Sequence, residues 1–203
     1  MMIIDLTMPI DEKTPVFPGD PKQEITQNAT IEKDGWNEKR LTFNSHFGTH
    51  IDAPFHMLAN GKKLDELPLE KFIGKAVVID VRGQKEIAPD LKGVKKDDIV
   101  FFRTDHIKKA YSKDFFKANP VITEETAKLL IQKGVKVVGL DSYTPDNDPY
   151  KIHKLFFKHD ILIIENLINL DKLKQKRFDC YIMPLKIRRA DGAPCRVFAL
   201  VKS

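Results

Sequence analysis

The sequence predicts a mixed α/β domain with more strand than helix, and three observations lead to this prediction. Eight short apolar runs bounded by turn residues have the length and composition of strands. Two further segments carry apolar residues at helical spacing. No linker rich in Pro or Gly and no internal repeat divides the 203 residues, so we expect a single domain over residues 1–203.

The predicted strands are distributed along the whole chain. In order they cover residues 2–6, 41–44, 76–81, 99–103, 135–140, 161–165, 179–184 and 196–201. Each is far shorter than the stretch of about 20 apolar residues that crosses a bilayer as a helix, so no membrane contact is expected.

The first predicted helix covers residues 123–133. Its first residue, Thr123, has a hydroxyl that suits an N-cap, and Glu124 and Glu125 place negative charge in the first turn. Gly134 follows the last residue of the pattern and ends the helix.

The second predicted helix covers residues 150–158, where three apolar side chains share one face: Ile152, Leu155 and Phe156. It lies between the strands predicted at 135–140 and 161–165. This strand–helix–strand order predicts that the two strands are parallel and covered by helices. The remaining strands are expected to form antiparallel pairs and hairpins.

Composition excludes several classes of protein. The formal net charge is +5, but the lysines are spread along the chain with acids close by, and no nucleic-acid-binding motif is present. Residues 1–9 lack the basic region and cleavage site of a signal peptide, which predicts a cytoplasmic protein. Cys180 and Cys195 belong to no CxxC motif, and we expect both to be small buried side chains.

Three of the six histidines lie within the eleven residues 46–56, together with an aspartate. His46, His50, Asp52 and His56 all have even numbers, so in an extended chain these side chains share one face. A helix would bring only the first two together. Burying three imidazoles and a carboxylate on one face is costly without an ion or a hydrogen-bond network. The set therefore favours a site over a chance cluster.

The conformation of this segment follows from distance. A straight strand would separate His46 from Asp52 by about 20 Å, too far for both to bind one ion. The chain must therefore curl, and Gly48 has the conformational freedom to allow it. Two histidines and an aspartate are ligands of divalent ions such as Zn²⁺ and Mn²⁺.

Two residues further along the chain also favour metal binding. Glu165 ends an apolar strand, where a charge is expensive unless it is paired or lies at the sheet rim. His153 precedes it by a helix end and a turn, so the two can lie side by side. His106 and His159 have no such context, and we expect both at the surface.

The segment His-Phe-Gly-Thr-His-Ile-Asp-Ala-Pro-Phe-His at residues 46–56 resembles the signature of the cyclase family of metal-dependent hydrolases. This family includes bacterial kynurenine formamidase and isatin hydrolase. Three further segments are similar to the family, at residues 15–20, 138–142 and 163–170. The resemblance therefore spans most of the chain. It implies a β/β/α domain of the cyclase-like, swivelling type, which associates as a homodimer or homotetramer.

The resemblance also implies a set of ligands. A first ion would be bound by His46, His50 and Asp52. A second ion would be held by His153 and Glu165, with Asp52 bridging the two ions and Glu165 touching both. The metal implied is a divalent ion, Zn²⁺ with one or two ions per chain, or Mn²⁺.

The reaction implied is the hydrolysis of a small-molecule amide by metal-activated water, with His56 as the catalytic acid and base. N-formylkynurenine is the best-known substrate, which would make the chain an arylformamidase. Phe17 stands where formamidases carry a tryptophan, so we expect it to bind substrate. Phe47 and Phe55 either wall the same pocket or belong to the core.

Two alternatives to this amide hydrolysis stay open at this point. One is hydrolysis of a cyclic amide or a lactone, as in isatin hydrolase, and another is a metal-binding assembly protein without turnover. Asp141 and Ser142 follow a predicted parallel strand, where they either position substrate or cap a loop.

Overall fold

An eight-stranded mixed sheet forms the centre of the computed structural model, which describes residues 1–174 and 177–201. The domain predicted over 1–203 also includes residues 175, 176, 202 and 203, which lie outside the described residues. In chain order the elements are β1 (Met2–Asp5), β2 (Glu24–Ala29), α1 (Ile31–Asp34), β3 (Glu38–Thr42), β4 (His50–Asp52), β5 (Ile73–Asp80), β6 (Glu86–Ile87), β7 (Ile99–Arg103), β8 (Val121–Ile122), α2 (Glu124–Gln132), β9 (Val137–Leu140), α3 (Lys151–Lys158), β10 (Leu162–Glu165), β11 (Arg177–Pro184) and β12 (Gly192–Val201).

The sheet closes on itself. Its strand order is β1-β12-β11-β5-β7-β9-β10-β4, and β4 also pairs with β12, which completes a barrel-like ring. The expected parallel pairing of β9 with β10 is confirmed. The expected antiparallel pairs are confirmed for β1, β11 and β12. The expectation was wrong for β5 and β7, which are parallel, because the chain between them crosses back before β7 begins.

The central strands are buried on both faces, which explains their continuous apolar runs. On β7, Ile99 and Phe101 point into one core, which fills the ring together with side chains of β4, β10 and β12. The alternate residues Val100 and Phe102 pack into a second core that includes residues of α2 and α3. The predicted mixed α/β fold is therefore confirmed.

The two predicted helices are confirmed as α2 and α3. Thr123 caps α2, since its Oγ1 accepts a hydrogen bond from the backbone N–H of Thr126 at 3.2 Å. Gly134 follows the helix with a φ of +68°. Cys180 and Cys195 are buried free thiols, as expected. None of the described helices has the length and apolar character needed to cross a membrane.

One hairpin stands apart from the sheet. The strand predicted at 41–44 lies instead at β3 and pairs with β2, which sequence patterning did not predict. Both strands are mostly exposed and carry no alternating apolar face, so the period-two signal of a half-buried strand is missing.

Candidate metal centre

The short strand β4 and the loop before it position His46 and His50, two of the three signature histidines. His50 and Asp52 lie on β4, where His50 is the register partner of Glu165 on β10. Gly48, with a φ of +62°, turns the chain so that His46 approaches the same point. The curl predicted from the spacing is therefore present. His153 reaches the site from α3, the helix that leads into β10.

Asp52 lies at the centre of the cluster. Its Oδ1 is 2.7 Å from Nδ1 of His46 and 3.4 Å from Nε2 of His50. Its Oδ2 is 3.8 Å from Nε2 of His153. Glu165 faces the same point, with Oε2 3.3 Å from Nε2 of His50 and Oε1 3.4 Å from Nε2 of His153.

These side chains form two groups of three possible ligands, within each of which the ligand atoms lie within 4.8 Å of one another. One group contains His46, His50 and Asp52, and the other contains Asp52, His153 and Glu165. Asp52 belongs to both. The structure thus brings together the five residues expected from the sequence, and their role as ligands stays a prediction.

The hydrogen bonding of the cluster fits a divalent metal ion. Among the residues that the structure describes, Nε2 of His50 and Oδ1 of Asp52 are buried without a hydrogen-bond partner. Oδ1 of Asp52 also lies 2.7 Å from Nδ1 of His46, which is an ion-pair contact when His46 is protonated. Buried polar atoms without partners are costly, whereas atoms that converge on one point suit coordination of a cation.

The outer nitrogens of two histidines are held by acceptors. Nδ1 of His50 donates to the Gly48 carbonyl at 3.0 Å, and Nδ1 of His153 donates to Oδ1 of Asp146 at 2.5 Å. When the imidazole is neutral, each bond leaves Nε2 directed into the cluster with its lone pair available, as in histidines that bind metals. Asp146 was not predicted, because no spacing rule joins it to the signature.

The carboxylates make this point strongly negative. Burial alone would lower the pKa of His46, but Asp52 and Asp191 raise it to about 10. In the same way, Asp146 and Glu165 outweigh burial and raise the pKa of His153 to about 9. For Asp52, burial opposes the charged form, yet the neighbouring imidazoles hold its pKa well below the usual range. The potential that retains these protons also favours a cation.

His56 lies beside the cluster and next to a carboxylate that sequence reasoning missed. Oδ2 of Asp191 is 2.9 Å from Nε2 of His46 and 3.5 Å from Nδ1 of His56. The two imidazole rings lie with centroids 3.9 Å apart. Burial is the main cause of a lowered pKa at His56. Asp191 is 145 positions from His46, so no local pattern could have linked them.

A cavity of about 470 Å³ opens onto the cluster. The phenylalanine and tyrosine rings that line it are those of Phe17, Phe115, Phe116, Tyr143 and Tyr150. Phe17 is 45% exposed and packs edge-on to Phe116, with ring centroids 5.8 Å apart. Phe17 is therefore placed where a substrate would pass, and its role stays a prediction. The other four aromatic residues were missed because they follow no motif.

The remaining aromatic candidates belong elsewhere. Phe47 is buried and stacks on Phe43 at 5.0 Å, and Phe55 carries the Lys63 ammonium over its ring. Neither lines the cavity. Of the two readings left open for these residues, packing is thus the one that the structure favours.

Asp141 and Ser142 cap loops and do not line the cavity. Asp141 accepts hydrogen bonds from the N–H and the hydroxyl of Thr104, both at 2.6 Å. The hydroxyl of Ser142 donates to the carbonyl of Thr144 at 3.2 Å. These bonds hold the chain where it leaves two parallel strands, β7 and β9.

The expectation that His106 lies at the surface was wrong, whereas His159 is exposed as expected. His106 is 5% exposed, and its Nε2 donates to the carbonyl of Phe115 at 2.8 Å. Its ring also stacks on that of Phe115, with centroids 5.2 Å apart. The histidine is buried because it holds the loop whose aromatic residues wall the cavity.

Comparisons with known proteins agree with this geometry. A family model described as "Putative cyclase" matches residues 4–147. Kynurenine formamidase from Bacillus cereus is 34% identical to the chain over an alignment of 203 positions, which covers 95% of this chain and 94% of the relative.

Solved structures show the same fold. Isatin hydrolase A from Labrenzia aggregata, solved with bound benzyl benzoate, superposes with a TM-score of 0.89 at 27% identity, over 100% of this chain and 94% of that one. A structure described as a predicted metal-dependent hydrolase from Bacillus stearothermophilus has a TM-score of 0.81 at 27% identity, over 98% of this chain and 97% of that one. The family model and these relatives show that the chain belongs to the putative cyclase family.

Proposed function

We propose that this chain is a divalent-metal-dependent hydrolase that cleaves the amide bond of a small aromatic substrate, as an arylformamidase does. One observation carries the proposal. Three imidazoles and two carboxylates converge at an aromatic-walled cavity, and two of their buried atoms have no hydrogen-bond partner among the described residues.

Different side chains would bind the metal ions and transfer the proton. His46, His50 and Asp52 would hold one ion, and Asp52, His153 and Glu165 a second. The donor set of nitrogen and carboxylate oxygen suits Zn²⁺ best and Mn²⁺ next. When bound, such ions polarise a carbonyl group and lower the pKa of water.

His56 would move the proton. Its imidazole stands beside the ligand cluster and lines the cavity, so it can take a proton from the attacking water and return it to the leaving nitrogen. A positioned imidazole contributes about 10²- to 10⁴-fold in rate. Phe17 and the rings around it would hold the flat part of the substrate by stacking.

The relatives narrow the substrate. The kynurenine formamidase from Bacillus cereus covers nearly the whole chain, so we propose N-formylkynurenine, hydrolysed to kynurenine and formate. A cyclic amide is the second candidate, because two isatin hydrolases superpose at a TM-score of 0.89, one of them bound to the product analogue thioisatinate.

The test measures metal content and turnover on one preparation. Mass spectrometry gives ions per chain, and N-formylkynurenine and isatin are assayed before and after treatment with a chelator. His56→Ala should retain metal and lose activity by about 10²-fold or more. Asp52→Ala should lose both. His159→Ala, at an exposed histidine outside the site, is the matched control and should change neither.

Each outcome decides between the hypotheses. Turnover that the chelator removes and added metal restores supports the hydrolase, and the preferred substrate identifies its class. Metal binding without hydrolysis of either compound would reject both substrates and leave two hypotheses, a lactone hydrolase and a metal-binding assembly protein. Full activity in His56→Ala would refute the role of His56.

We also propose that the chain works as a homodimer or homotetramer in the cytoplasm. The β2–β3 hairpin supports association, since Trp36 and Leu41 are 59% and 53% exposed. Light scattering should give about 47 or 93 kDa, two or four times the chain mass of 23.3 kDa. A mass of one chain at micromolar concentration would contradict the proposal.

A further inference from the structure

Asn166 lies at the end of β10, directly after Glu165, and it borders the cavity. Its φ is +58°, a left-handed conformation that asparagine and glycine tolerate better than other residues. The backbone therefore turns sharply just past the last ligand of the predicted site. The side chain is left beside the loop that carries His46 and leads into His50, the first residue of β4.

Two hydrogen bonds join Asn166 to that loop. The side-chain Nδ2 of Asn166 donates to the carbonyl of Gly48 at 3.0 Å, and the backbone carbonyl of Asn166 accepts a hydrogen bond from the hydroxyl of Thr49 at 2.6 Å. The orientation of the amide follows from chemistry, because the Gly48 carbonyl is only an acceptor and must face the NH₂ group.

The Gly48 carbonyl receives a second donor, Nδ1 of His50 at 3.0 Å. One carbonyl oxygen is thus shared between the Asn166 amide and the His50 imidazole. Because this oxygen can only accept, it requires the proton of neutral His50 on Nδ1 and leaves the lone pair on Nε2. The position of the carbonyl therefore sets both the tautomer and the direction of the ring.

Buried side-chain atoms without a hydrogen-bond partner associate Asn166 with the metal centre. Three buried side-chain atoms lack a hydrogen-bond partner in the described part of the chain: Nε2 of His50, Oδ1 of Asp52 and Oδ1 of Asn166. The first two belong to the ligand cluster, and the third belongs to the residue that follows Glu165. A residue that served only to stabilise the fold would be expected to use both ends of its amide.

We propose that Asn166 is a positioning residue for the metal centre, which holds the Gly48 carbonyl so that His50 presents Nε2 to the ion. This inference rests on the proposed role of His50 as a ligand. It assigns to Asn166 no contact with substrate.

The experiment compares Asn166→Gly with a matched control, Asn169→Gly. Asn169 has a φ of +60°, and its Nδ2 donates to the carbonyl of Asp5 at 2.8 Å, away from the cavity. Glycine accepts the same backbone conformation at both positions, so each variant loses one amide without new strain. Zn²⁺ affinity is measured by chelator competition, with no substrate present.

A second readout reports the tautomer directly. Imidazole nitrogen NMR spectra of the metal-free protein distinguish a proton on Nδ1 from one on Nε2, with the His50 signal assigned by its loss in His50→Gln. The original protein and Asn169→Gly should show His50 protonated on Nδ1. Asn166→Gly should lose this signature and bind Zn²⁺ about 10- to 100-fold more weakly.

The outcomes separate positioning from folding and from the proposed function. Equal Zn²⁺ affinity in the two glycine variants overturns the proposal, as does weaker binding with the His50 tautomer unchanged. If Asn166→Gly does not fold, Asn166→Asp replaces it, since aspartate tolerates the same φ and lacks the NH₂ donor; an unchanged tautomer there refutes the inference. Failure of hydrolysis would refute the proposed function while leaving the tautomer result intact.

Discussion

Replacing Asp146 by asparagine tests whether residues that contact the proposed ligands control metal binding. Asp146 accepts two short hydrogen bonds with different oxygens, from Nδ1 of His153 at 2.5 Å and from the backbone N–H of Ile152 at 2.6 Å. Both partners are donors, and an asparagine has a single acceptor oxygen. Asp146→Asn can therefore keep one of these bonds but not both.

The size of the effect follows from the bond that is lost. A hydrogen bond to a charged group contributes about 1.5–3 kcal/mol. Since each 1.4 kcal/mol is a factor of ten in an equilibrium constant, losing the orientation of His153 should weaken binding by about 10- to 100-fold. The same range is typical for partners that orient metal ligands.

The assay is a competition titration of Zn²⁺ against a chelator at constant pH and ionic strength. The control is Asp148→Asn, the same chemical change at an exposed position two residues away, which should leave the affinity unchanged. Affinities of Asp146→Asn and Asp148→Asn within about twofold of the original protein would refute the reasoning, because His153 would then need no acceptor behind it.

Three further predictions concern stability and substrate binding. Burial lowers the pKa of His106 from 6.5, so below about pH 6.5 the unfolded chain binds a proton that the folded chain does not, and the free energy of unfolding should fall as the pH drops. Urea titrations of the metal-free protein at about pH 7.5 and about pH 5.5 measure this fall, which should be smaller in His106→Gln than in the original protein. An equal fall in both proteins would contradict the prediction. A Cβ on Gly192 would lie 2.7 Å from the Ile51 carbonyl and 2.9 Å from His46. Gly192→Ala should therefore lower the free energy of unfolding by about 1–3 kcal/mol in the same titration. A smaller loss would show that β12 and β4 can move apart to accept the methyl group. Phe116→Ala removes a ring from the cavity wall and should raise KM about 3- to 10-fold with little change in kcat. A decrease confined to kcat would show that the ring acts on the reaction and not on substrate binding.

Much of the fold followed from local patterns. Strands β7, β9 and β10 are continuous apolar runs because both of their faces are buried, and α2 begins and ends at the residues that its capping pattern indicates. The hairpin of β2 and β3 was missed because its side chains are polar and exposed. Its stability comes from backbone pairing, which leaves little trace in composition.

The candidate site divides in the same way. The even spacing of His46, His50, Asp52 and His56, with Gly48 between them, determined that these side chains could meet, since residues close in the chain are restricted to a few arrangements. The resemblance extended this set to His153 and Glu165.

Only the tertiary structure decided which residues contact and orient these side chains and which rings surround them. Asp191 contacts His46 from 145 positions away, and Asp146 holds His153 across a loop. Two of the rings that wall the cavity, Phe115 and Phe116, come from a segment held by His106. Such contacts depend on how the sheet closes, because β12 returns beside β4 only when the whole ring has formed. Short-range periodicity carries the ligands of a site, whereas the groups that orient them are set by long-range packing.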